Sequence, residues 1–132
     1  MVHELKIIDL DEKHPIESVN YVFRTEGNIP EEEVFNQNPV AYIVDVDDVA
    51  THIPGMLVST TYNDAEATIS IWVRGGVTKH TYYIVGYLDV TSSHRYWFGG
   101  KFHVNDKKIP LPPVSLFIGA GTLYPQSGVT LV

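Results

Sequence analysis

Between positions 67 and 74 the chain alternates without a break. Ala67, Ile69, Ile71 and Val73 fall on one side, and Thr68, Ser70, Trp72 and Arg74 on the other. A period of two belongs to a strand with one face in a core. Residues 81–91 repeat the pattern, with Tyr82, Ile84, Gly86, Leu88 and Val90 opposite Tyr83, Val85, Tyr87 and Asp89. In residues 95–104, Tyr96, Phe98, Phe102 and Val104 share a side, and Gly99-Gly100 marks a bulge or a close approach. Weaker candidates cover 40–46 and 56–62. Asn63-Asp64-Ala65-Glu66 suits a hairpin turn, Gly75-Gly76 ends a strand, and Asn105-Asp106-Lys107-Lys108 closes the unit. Short strands with turn signals at even spacing predict an all-β, two-layer antiparallel sandwich over residues 36–108.

The flanks differ from this middle. Residues 1–35 mix short apolar groups with acids around His14-Pro15, and are expected to form an acidic arm or an edge strand. Within them, Ile29-Pro30-Glu31-Glu32-Glu33-Val34-Phe35 carries the proline and acids of a first helical turn, though a solvated loop is the simpler expectation. Residues 109–132 have no charged side chain, and Pro110, Pro112 and Pro113 impose an extended path without backbone donors. A helix or a central strand is excluded there, so the segment is expected to be an arm.

Charge sharpens the three-part division. Residues 1–50 carry twelve acids and three bases, residues 51–108 four acids and six bases, and the net charge is −7. Such an acidic chain disfavours nucleic-acid binding, which relies on Lys and Arg neutralising phosphates. With 132 residues and 44% apolar content, one core is expected to fold unaided. The basic leader of a signal peptide is missing, as is any apolar run of about 18 residues, so neither secretion nor membrane insertion is expected.

Catalytic and metal chemistry find little to work with. There is no cysteine, and the six histidines, His3, His14, His52, His80, His94 and His103, lack zinc spacing. Asp45, Asp47 and Asp48 offer oxygen ligands for calcium, but without the glycine and distal glutamate of a calcium loop they are expected to be a solvated strand end. Ser92-Ser93-His94 is adjacent in sequence, which is not the geometry of a catalytic triad, and no Gly-x-Ser-x-Gly elbow occurs. Gly75-Gly76 and Gly119-Ala120-Gly121 lack the spacing of a phosphate loop. No cofactor and no enzymatic activity are expected.

Two features point instead to association. Trp72, Tyr83, Tyr87 and Trp97 are predicted on faces opposite the core. Large aromatics there suit a sugar platform, a protein interface, or a surface covered by the chain's own flanks, and cover by protein is the expectation. The second feature is the apolar set Leu111, Val114, Leu116, Phe117, Ile118, Leu123, Tyr124, Val129 and Leu131 in the arm. Ordering each arm residue costs about 1–2 kcal/mol, and burying each larger apolar side chain returns about 1.5–3 kcal/mol. Burial alone does not clearly win. The arm is therefore expected to order where its backbone also pairs, as a strand added to a sheet edge of a neighbouring subunit.

The segment ATISIWVRGGVTKHTYYIVGYLDVTSSHRYWFGGKFHV, residues 67–104, resembles a pattern in small structural proteins of tailed bacteriophages. A strand ends in Gly75-Gly76, a polar link leads to a Tyr-rich strand at Tyr82, and the 91–95 hairpin leads to a last strand. The resemblance implies an immunoglobulin-like antiparallel sandwich used as a head decoration, fibre base or neck and tail accessory. It implies a protein made in the host cytoplasm and located in the virion, forming symmetric homo-oligomers and contacting capsid or tail subunits. The alternative expectation is a carbohydrate-binding or adhesion module using Trp72, Trp97 and Tyr87.

Overall fold

A computed structural model describes residues 3–5, 7–25, 38–63, 66–89, 95–110, 114–118, 123–125 and 129–131, with side chains for residues 7–25, 38–63, 66–89 and 95–110. Twelve strands occur among them. The first six are β1 (His3–Leu5), β2 (Ile8–Asp9), β3 (Ser18–Arg24), β4 (Val40–Asp45), β5 (Asp48–His52) and β6 (Leu57–Asn63). The others are β7 (Thr68–Arg74), β8 (Thr81–Asp89), β9 (Arg95–His103), β10 (Val114–Ile118), β11 (Leu123–Pro125) and β12 (Val129–Leu131).

These strands form two main sheets. One has the order β10-β3-β7-β6 and the other β11-β9-β8-β4-β5, with β2 also paired to β9. β1 and β12 form a separate parallel pair. The described residues are thus all-β with two main sheets, an arrangement consistent with a sandwich.

The alternation in the sequence places the core. Ile69, Ile71 and Val73 of β7 and Val19, Tyr21 and Phe23 of β3 meet Tyr82, Ile84 and Leu88 of β8 and Tyr96, Phe98 and Phe102 of β9 in one buried cluster. Rings join the sheets: Tyr21 and Phe102 have centroids 5.4 Å apart, and Phe23 and Phe98 4.8 Å. The Tyr21 hydroxyl donates to the Asp11 carbonyl at 2.9 Å, and burial raises its pKa far above the ordinary tyrosine range, with Asp11 and Glu17 adding to the rise.

Several expectations change. β3 lies within residues 1–35, yet it is flanked by β7 and β10 and supplies core residues, so it is neither an arm nor an edge. Ala67 is not in a strand. It turns the chain at φ 53°, a region few non-glycine residues adopt, and its carbonyl accepts from the Thr25 amide and hydroxyl at 2.9 and 3.0 Å. Met56 closes a 3-10 turn, Pro54–Met56, instead of starting β6. The acidic segment 29–35, Leu111 and Ser92-Ser93-His94 lie outside the described residues.

Two glycines are required by space. The β8–β9 register runs unbroken through Gly99 and Gly100, so this is a close approach and not a bulge: a Cβ on Gly100 would meet Leu10 at 2.5 Å. A Cβ on Gly86 would collide with the Phe98 ring and the Val40 carbonyl, whereas one on Gly55 would meet nothing within 4 Å. Gly86→Ala is therefore expected to destabilise the fold by about 1–3 kcal/mol, as overpacking does, with Gly55→Ala changing little. Urea denaturation of both variants checks this, and equal midpoints would contradict it.

Candidate assembly surfaces and the root of the arm

The outer face of the larger sheet is built by register. Val40, Tyr87 and Trp97 form one cross-strand row, which continues in the ladder to Tyr124 of β11. Val44, Tyr83 and Lys101 form another. Three of the four sequence-predicted aromatics, Tyr83, Tyr87 and Trp97, are thereby brought to one sheet. Trp72 is not among them, because β7 belongs to the other sheet, where Trp72 stands between Asn20 and Ser59. The four residues form no single patch.

The rings of the row are already engaged. Tyr87 and Trp97 pack at 5.1 Å with planes 56° apart. The Arg95 guanidinium lies 3.9 Å over the Tyr87 ring and bonds Asp89 through two N–H groups at 2.7 and 3.1 Å. The Asp89 hydrogen bonds raise the Arg95 pKa further above its ordinary value. Next to this row, Tyr42 stacks on His52 at 4.3 Å, 12° from parallel, and burial, with Tyr87 adding, raises the Tyr42 pKa. Stacking on a sugar needs open ring faces. Here Arg95 covers one face of Tyr87, and His52 one face of Tyr42.

The arm pairs along its backbone, as expected, and the strands it pairs with here are those of its own chain's sheets. β10 runs parallel to β3, matching Val114 with Val19, Leu116 with Tyr21, Phe117 with Val22 and Ile118 with Phe23. β11 runs antiparallel to β9, matching Leu123 with Phe98 and Tyr124 with Trp97. Val129 and Leu131 of β12 match His3 and Leu5 of β1. Prolines keep this segment out of sheet interiors, and β10 and β11 occupy the outermost positions.

The arm's root rests on charges that sequence reasoning passed over. Glu17 has no exposed side-chain surface, and its two oxygens accept from the Lys108 ammonium at 2.9 and 3.0 Å. One of them also accepts from the His14 amide at 2.6 Å. Lys13 is fully buried and donates to the carbonyls of Gly75 at 2.6 Å, His14 at 2.8 Å and, at longer range, Pro15 at 3.5 Å. Its pKa falls to about 8 because burial disfavours the ammonium; Glu17 opposes the shift and Lys108 adds to it. The only sequence signal was a Lys and a Glu flanking the His14-Pro15 turn. Charged residues beside a turn usually mark a wet loop.

The acidic strand end is a local lock. Asp45 Oδ1 accepts from the Asp47 amide at 2.9 Å and Oδ2 bonds His80 Nδ1 at 2.6 Å, which lowers the Asp45 pKa. No group of three or more His, Cys, Asp or Glu side chains suited to a metal occurs among the described residues, and no helix there is long and apolar enough to cross a membrane. Compared with protein-family models and with curated proteins, the chain finds no match.

Removing one member of a buried ion pair costs about 3–5 kcal/mol. Glu17→Ala is expected near the lower end, because Lys108 retains partial exposure. For Lys13 the sign follows from its lowered pKa. Between about 8 and 10.5 the folded chain has lost the proton that the unfolded chain keeps, so unfolding takes up a proton and stability rises with pH. The stability difference between the native chain and Lys13→Met is expected to stay flat below about pH 8 and then shift in favour of the native chain up to about 10.5. Urea titrations at stepped pH measure it; a flat difference across that window would contradict the assignment.

Proposed function

We propose that this chain is a non-enzymatic building block with an immunoglobulin-like topology, assembling with copies of itself and with other structural subunits. Strand order supports the topology. β3, β7 and β6 correspond to the B, E and D strands of such a domain, and β9, β8, β4 and β5 to G, F, C and C′. β2 lies parallel on β9, as an A′ strand would.

The observation that carries the function is the use of a charge-free segment to hydrogen-bond an outer strand of both sheets. Strand addition relies on main-chain groups, which are the same in any copy of the chain. The resemblance of residues 67–104 to bacteriophage structural proteins favours a virion component, with capsid, neck or tail subunits as partners. The excess of acids in residues 1–50 favours a basic partner surface and salt-sensitive assembly. The carbohydrate-binding alternative is weakened because Trp72 stands on the other sheet from Tyr87 and Trp97, so the three rings form no one platform.

Deleting residues 109–132 is expected to leave a folded monomer, while the full chain sediments as a larger species. Sedimentation velocity with circular dichroism on both proteins checks this. Identical association states for the two proteins would overturn the proposal.

A further inference from the structure

We infer that the turns at the root of the C-terminal segment form a self-complementary surface, through which two copies of the chain meet about a two-fold axis. This contact rests on the assembly reading above and gives it a location on the molecule.

Three turns converge there. Residues 12–17 precede β3, residues 75–80 join β7 to β8, and residues 105–110 follow β9. Hydrogen bonds hold the turns to one another. Lys108 donates to Glu17 and Lys13 to the Gly75 carbonyl, while the Asp106 amide donates to the Thr78 hydroxyl at 3.1 Å and the Asn105 side chain to Glu12 at 3.1 Å. Each turn also carries an apolar side chain that this network leaves outside. Ile16 is 76% exposed, Val77 57% and Ile109 80%, the three most exposed large apolar residues among those described. Pro15 and Pro110 adjoin two of them in the chain. Apolar patches rimmed by polar residues are how proteins present contact sites. Turns tied down by buried ions and stiffened by proline lose little freedom on binding.

Charge selects the partner. With a net charge of −7, two copies repel each other on approach. In these three turns the exposed acids and lysines balance, Glu12 and Asp106 against Lys79 and Lys107. A two-fold contact sets residue i of one copy against residue j of the other, and j against i. A patch with both signs around an apolar centre is therefore complementary to itself, whereas a partner of one strong sign would meet like charges.

Sedimentation velocity over a concentration series compares the full chain with Ile16→Asp, with Ile109→Asp, and with Thr61→Asp, which adds the same charge to an exposed position on β6. Both patch variants are expected to keep the native urea midpoint and to raise the dissociation constant about tenfold or more, the effect of losing an anchoring side chain. Thr61→Asp is expected to associate as the native chain does. The Lys79→Glu, Lys107→Glu double variant and the Glu12→Lys, Asp106→Lys double variant are each expected to associate weakly alone and to pair when mixed. Undiminished association of the patch variants, or a mixture that restores nothing, overturns this contact while leaving assembly standing. A native chain that stays monomeric throughout overturns the assembly reading and this contact with it.

Discussion

A strand at the rim of a sheet carries a row of amides and carbonyls that must find water or another strand. Two sheets of open strands present four such rims, and here they are resolved in two different ways. The rims at β5 and β6 are irregular: all five residues of β5 are exposed, and Val58 stands out of the β6 register. At β3 and β9 the chain spends its own C-terminal segment, and β9 also receives β2. A segment free of charge is suited to this, since no ion has to leave water when its backbone pairs.

That use of the segment depends on where it starts. Glu17 holds Lys108 from the turn that introduces β3, and Lys13 in the same turn reaches the Gly75 carbonyl just after β7. The end of β9, the start of β3 and the end of β7 are thus tied at one end of the two sheets. Taking these charges out of water is costly, and the short hydrogen bonds at every stage offset that cost. The tie fixes the point from which residues 109–132 depart, and so which ladders they can reach.

The strands that bury one face were legible in the sequence. In β7, β8 and β9 the alternation placed Ile69, Ile71, Tyr82, Ile84, Phe98 and Phe102 in the core, where they are found. β5 was not legible, because Asp48–His52 buries neither face and so has no pattern to show. β3 was obscured for the opposite reason. Val19 to Phe23 are all buried, and a strand covered on both faces does not alternate. Ala67 continued the period by chance and turned out to be a left-handed turn residue. The aromatics were correctly placed away from the core, but periodicity cannot say which sheet a strand joins, and Trp72 went to the other one. Lys13 and Glu17 showed only as charges flanking a turn, because their burial arises from elements distant in sequence.

The central claim is that residues 109–132 supply the outer ladders of β3 and β9. Amide hydrogen exchange, resolved by residue, compares the full chain with one ending at Lys108. The account predicts that protection falls in β3 and in residues 96–98 of β9 on truncation, while β8 keeps its protection. Unchanged exchange in β3 and β9 would contradict it.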